Sequence, residues 1–201
     1  MADDERRVEI LDKTVCYDGF FRLERYRLRH SLFGGGWTRP LTRELFERGH
    51  AAAVLPYDPA RDEVVLIEQF RIGALAEAGG PWLVEIVAGM IEPDEAPEAV
   101  ARRETREEAG CEIRELLPIV RYLVSPGGTT EHLHLYLGLV STAGVGGIHG
   151  VPEEGEDIRV QAVPFDTAVE WMQQGRVDSA APIIALQWLM LNRERLRREY
   201  G

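Results

Sequence analysis

Three short, strongly apolar runs follow one another in the middle of the chain: AAAVLPYD (51–58), EVVLIEQFRI (63–72) and WLVEIVAG (82–89). The first two are separated by the turn signal DPARDE, and runs of this length and apolarity read as buried strands of one mixed sheet. A fourth segment, EHLHLYLGLV (131–140), places Leu133, Leu135, Leu137 and Leu139 at alternate positions, the period of a half-buried strand. IRVQAVPF (158–165) reads as a further strand, and helical stretches are expected at about 166–174 and 180–198.

Residues 8–48 hold extended-looking segments around a GGG hairpin turn at 34–36. The expected organisation is a β-rich unit over 1–47, too small for a core of its own, and a main domain over 48–201. The Gly-rich, acid-tipped stretch TAGVGGIHGVPEEGED reads as a loop. Without regular βαβ alternation, the class is mixed α/β or α+β. No internal repeat or low-complexity tract interrupts it.

GMIEPDEAPEAVARRETREEAG (89–110) carries seven acidic residues. Pro97 suits a first helical position, Glu98 a first turn, and Gly110 the position past a helix end, which frames a helix of about 13 residues. Its inward stripe is Pro97, Val100, Ala101, Glu104, Thr105 and Glu108, so the stripe starts apolar and ends in acids. Glu104 and Glu108 repel at this spacing unless something sits between them. A solvated helix laced by pairs such as Arg103 with Glu107 is the plainer alternative. A partly buried carboxylate pair instead takes up protons or recruits a hard divalent cation, with Mg²⁺ the natural candidate.

The formal net charge of −11 disfavours nucleic acid and anionic membrane surfaces. Any phosphate ligand then needs local arginines or a metal. Two cysteines far apart, Cys16 and Cys111, argue against a disulfide framework and for a reducing cytoplasm. With no apolar leader in MADDERRVEI and no stretch of spanning length, neither export nor membrane insertion is expected.

Gly89, five residues, Glu95, seven residues, then Arg103-Glu104-Thr105-Arg106-Glu107-Glu108-Ala109-Gly110-Cys111 resembles the Nudix box, G-x5-E-x7-R-E-U-x-E-E-x-G-U. All fixed polar and glycine positions match; Thr105 and Cys111 depart from the bulky aliphatic U. The resemblance runs along nearly the whole chain through RELFERGHAA (43–52), EQFR (68–71), AGMIE (88–92), SPGGTTE (125–131) and EDIRV (156–160). It is closest to the ADP-ribose pyrophosphatase branch, for which Pro126, 15 residues after Cys111, is a mark.

The resemblance implies a Nudix-type mixed sheet sandwiched between helices, with a small N-terminal β-rich subdomain for dimerisation and substrate binding. It implies hydrolysis of ADP-ribose to AMP and ribose 5-phosphate with Mg²⁺, or with Mn²⁺ or another divalent cation in its place. Glu104, Glu108 and the Ala88 carbonyl would hold metal, joined by Glu107 and, from the acidic loop, Glu156. Glu154 would be the general base, with Glu153 its confusable neighbour. Glu95 and Arg103 would orient loop and helix, with Gly89 and Gly110 structural in the motif. Phe20, Arg43 and Glu44 would surround the adenine, Phe21 would also bind substrate, and Arg48 and Arg71 would reach ribose or phosphate. Met90, Ser125, Gly127 and Glu131 would line the terminal ribose. A homodimer with exchanged N-terminal strands is implied, in which Phe20 and Glu44 reach the other subunit's site. His50, His132 and His134 read as structural. The alternatives are a pyrophosphatase of another nucleoside diphosphate sugar, such as a GDP-sugar, or a catalytically silent nucleotide-sugar sensor.

Overall fold

The computed structural model describes residues 6–201, apart from the side chain of Glu154. The chain forms two compact units, one from residues up to His50 together with Leu123–His132, the other from Ala51–Tyr122 and Leu133–Gly201.

The first unit is an antiparallel meander of β1 (Val8–Asp18), β2 (Arg22–His30) and β3 (Leu41–Glu47), in that order. The turn between β2 and β3 falls on the glycine run: Leu32 N–H donates to the Gly36 carbonyl at 3.0 Å. Gly35 and Gly36 adopt φ of 89° and 82°, a region open mainly to glycine. The segment Leu123–His132 is tied to β3, where Phe46 N–H donates to the Gly128 carbonyl at 2.8 Å and Thr130 Oγ1 to Glu47 Oε1 at 2.6 Å.

The second unit is built on a mixed sheet. Its elements are β4 (His50–Asp58), β5 (Glu63–Phe70), β6 (Trp82–Glu85), β7 (Val87–Ile91), α1 (Pro97–Ala109), β8 (Glu115–Leu123), β9 (His132–Leu139), β10 (Gly146–His149), β11 (Ile158–Pro164), α2 (Phe165–Gln173) and α3 (Ala180–Tyr200). The strand order is β10-β11-β5-β4-β9-β8, with β6 beside β5 and β7 beside β4. β4 and β9 run parallel from Ala51↔Leu133 to Tyr57↔Leu139, whereas β11 and β5 are antiparallel.

Alternation along the strands sends side chains to two cores. Leu55, Tyr57, Leu66, Leu135 and Leu137 pack with Phe165, Leu186 and Leu189 of α2 and α3. Val54, Val65 and Ile67 pack with Val87, Val100 and Ala101 beneath α1. The sheet is therefore covered on both faces, as the resemblance implied.

Two expectations change. β9 is not half-buried: besides its leucines it buries Tyr136, because it lies between β4 and β8 and both helical layers cover it. The Gly-rich stretch is not all loop, since Gly146–His149 pair with Ile158–Gln161 as β10. Strand propensity is low there, and pairing with β11 supplies what the residues lack.

Asp62, in the turn between β4 and β5, joins three elements. It accepts hydrogen bonds from the buried Tyr57 hydroxyl at 2.7 Å and from Arg193, and it pairs with Arg197 at 3.3 Å; its carbonyl takes Phe165 N–H. Its φ of 57° is one that Asp tolerates better than Ala. Asp62→Ala leaves the buried Tyr57 hydroxyl without its acceptor and Arg193 with Asp166 alone, so a loss of about 2 kcal/mol in urea unfolding is expected, with Asp62→Asn losing about half of it.

Candidate active site

α1 is set against β7 by its buried face, Val100, Ala101, Thr105, Glu108 and Ala109. Its C-terminal end closes through Gly110 at φ 62°, with Gly110 N–H on the Arg106 carbonyl and Cys111 N–H on that of Thr105. A Cβ at residue 110 would also lie 2.7 Å from the His149 ring. The two departures from the motif are accommodated locally. Thr105, fully buried, returns its hydroxyl to the Ala101 carbonyl at 2.7 Å. Cys111 is buried, and burial pushes its thiol up to about 11, away from nucleophilic use.

The acids of α1 fall into different surroundings. Glu108 is 2% exposed and accepts the Ala88 N–H at 3.0 Å on Oε2. Glu104 is half-buried against β7 so closely that a Cβ on Gly89 would overlap its carboxylate. Arg103 donates to Glu104 at 2.8 Å, to Glu107 at 3.1 Å and to both oxygens of Glu95 at 3.3 and 3.4 Å. One guanidinium thus ties the loop before the helix to its acids, and it holds the Glu95 carboxyl below its usual range.

Glu156 lies in the loop after β10, where its Oε2 accepts Val151 N–H at 3.0 Å; Gly150 N–H reaches the Glu107 carbonyl at 3.4 Å, which links this loop to α1. In the same loop the backbone of Glu154 forms a 3₁₀ turn with Pro152 and Glu153, and the Glu154 side chain lies outside the described residues.

Electrostatics couple these groups. Burial pushes Glu108 up to about 8, opposed by the Ala88 N–H and by Arg71 and reinforced by Glu104 and Glu156. Burial likewise pushes Glu104 up to about 7 against the pull of Arg103, with Glu107 and Glu156 adding to the rise. The site holds more negative charge than its own cations offset. Among the described residues no three acidic, imidazole or thiol side chains converge tightly enough to hold an ion, because each acid is turned to an N–H donor. A set of oxygen donors, with Glu108 buried and Glu104 half-buried, still fits a hard divalent cation. Glu104 and Glu108 would hold it, with Glu107, Glu156 and the Ala88 carbonyl at hand.

Arg71 donates to Glu85 Oε2 at 2.8 Å, and Met90 is exposed at the end of β7. Glu85 is not among the residues that the sequence singles out; the available signal was an acid inside the apolar run WLVEIV.

The remaining candidates belong to the first unit. Phe20, 85% exposed, stands edge-on to Phe21 at 4.7 Å, and Phe21 meets Phe46 at 5.2 Å. Arg48 lies over the Phe21 ring at 5.5 Å and pairs at 3.3 Å with the buried Glu131. Arg43 and Glu44 are exposed on β3, opposite Tyr26 and Arg25. The Ser125 carbonyl accepts the Gly128 and Thr129 N–H groups, so Ser125 and Gly127 shape a tight turn. Phe46 likewise escapes a reading of the sequence, although an aromatic between Glu44 and Arg48 could have raised it.

A NUDIX domain profile matches residues 47–187. The chain is 50% identical to an ADP-ribose pyrophosphatase of Escherichia coli K12 over 96% of its own length and 93% of the relative's. It is 44% identical to an ADP-ribose pyrophosphatase of Haemophilus influenzae, over 98% and 92%. A crystal structure of an ADP compounds hydrolase superposes with a TM-score of 0.70 at 18% identity, covering 96% of both chains, and so shares the fold.

Proposed function

The chain belongs to the Nudix family, a hydrolase by that membership, and we propose that it cleaves ADP-ribose with water to AMP and ribose 5-phosphate, using Mg²⁺. The observation that carries this reading is the pair Glu104 and Glu108, one turn apart on the inward face of α1 and lifted to about 7 and about 8. Such a pair gains most when a cation replaces its protons. The names of relatives near half identity direct the choice of substrate.

In this reading Glu104 and Glu108 would hold a divalent cation, which would offset phosphate charge and acidify water. Arg103 holds Glu107 and Glu95 and releases Glu104 to the cation. Gly89 leaves the Glu104 carboxylate room against the strand. Arg71 and Arg48 bind the diphosphate and ribose, where guanidinium forks suit the oxygens. Phe20, with Phe21 edge-on to it, stacks on adenine, and Arg43 and Glu44 frame the base. Met90, Ser125, Gly127 and Glu131 line the terminal ribose. Glu154 takes the proton of the attacking water as its oxygen bonds to phosphorus and the bridging P–O bond breaks, the bridging oxygen leaving with the other phosphate.

Two copies are proposed to pair through the N-terminal strands, supported by Val8, Ile10, Val15 and Tyr17, which β1 leaves exposed. A cytoplasmic setting is supported by Cys16 and Cys111, both free thiols. Among the described residues no helix is long and apolar enough to cross a membrane.

The test is a product assay in ¹⁸O-labelled water with Mg²⁺ or with chelator, on ADP-ribose and on GDP-sugars. AMP and ribose 5-phosphate, formed with Mg²⁺ and from ADP-ribose in preference, are expected, and the label marks the attacked phosphorus. Faster cleavage of a GDP-sugar would replace the substrate, and metal-independent turnover would remove the role of the acids.

A further inference from the structure

On the face of the sheet that carries α1, β5 presents Val65, Ile67 and then Gln69 at alternate positions. Arg71 continues in extended backbone, φ −131° and ψ 114°, and its N–H donates to the Pro81 carbonyl, so its side chain rises from the same face. Across the β5–β6 pairing Ile67 opposes Glu85 and Gln69 opposes Leu83. The Arg71–Glu85 ion pair at 2.8 Å therefore crosses diagonally beside Gln69. Gln69 is 7% exposed, and its Nε2 is buried with no hydrogen-bond partner among the described residues. An apolar side chain of the same shape would avoid the desolvation of that amide. The acid that β6 sets opposite this stretch of β5, on the same face, is Glu85, itself largely buried.

We propose that Gln69 is a positioning residue for substrate binding: its side-chain amide takes over the Glu85 carboxylate when the Arg71 guanidinium turns to a phosphate of the substrate. The inference rests on the reading above that Arg71 binds the diphosphate. Arg71 already acts electrostatically on Glu108, so its charge lies within reach of the acids of α1. Without a second donor, releasing Arg71 would leave Glu85 buried and unpaired, and the ion pair would compete with the substrate. The Gln69 amide removes that competition.

The test compares Gln69→Leu and Gln69→Met, alone and combined with Glu85→Gln, in steady-state kinetics on ADP-ribose and in thermal melting. The expected result is a KM raised about tenfold, the size of one charge-assisted hydrogen bond, with kcat within about twofold and no loss of melting temperature. In the Glu85→Gln background the same substitutions should leave KM unchanged, because no stranded charge remains. An unchanged KM in both single variants, or an equal rise in the Glu85→Gln background, would overturn the role. Melting temperatures lowered in both single variants would mark Gln69 as a packing residue and overturn it equally. Arg71→Ala separates the two levels: a parental KM there refutes the reading of Arg71 itself, whereas a raised KM in Arg71→Ala beside unaffected Gln69 variants refutes only the handover.

Discussion

Glu108→Gln is expected to lower turnover of ADP-ribose by about two to three orders of magnitude while the fold stays intact. The side chain is the most enclosed acid of α1, and it accepts the Ala88 N–H. Glutamine keeps the shape and an oxygen for that N–H, but it loses the charge a divalent cation requires. Stability should move the other way. The folded-state value of about 8 exceeds the ordinary carboxylate value of 4.5, so the folded chain binds more protons than the unfolded one between the two. That contribution is fully present below the unfolded value and is lost as pH rises through the folded one. In chelator at pH of about 9, the variant should melt at or above the parent. Near-parental turnover, or a fall in melting temperature that explains the lost activity, would contradict the assignment.

Gly89→Ala is expected to cost about a hundredfold in kcat with little change in melting temperature. The added Cβ would fall on Glu104 Oε1, closer than any two unbonded atoms can approach. Because the obstruction is the end of a flexible side chain, the carboxylate moves rather than the strand. Displacements of about 1 Å in a catalytic group commonly cost about a hundredfold. A higher divalent concentration should be needed for half-maximal rate. Gly79→Ala, where an added Cβ meets nothing within 4 Å, is the control and should behave as the parent. Equal activity of the two variants would show that Glu104 has no task at this position.

The acidic helix was legible because its frame is local. Pro97 and Gly110 set its ends, and the stripe from Val100 to Glu108 follows from 3.6 residues per turn. The buried strands were legible for the same reason, through apolar runs such as EVVLIEQF. What the chain conceals is register. Nothing local tells that Glu85 opposes Ile67 and so comes within reach of Arg71, or that Gly146–His149 find a partner in β11. The covering of β9 on its second face depends likewise on α1 and on strand order. Among the residues that family resemblance brings forward, Glu104, Glu108 and Arg103 gather beside β7, whereas the unpartnered amide of Gln69 follows only from how β5 and β6 pack.

On the proposed function, Glu104 and Glu108 turn from their N–H partners to a shared divalent cation. Crystals soaked in Mn²⁺ and measured at the manganese absorption edge test it directly. The expected result is an anomalous peak bonded to both carboxylates beside Gly89. A peak elsewhere, with Glu108 still on the Ala88 N–H and Glu104 still on Arg103, would contradict it.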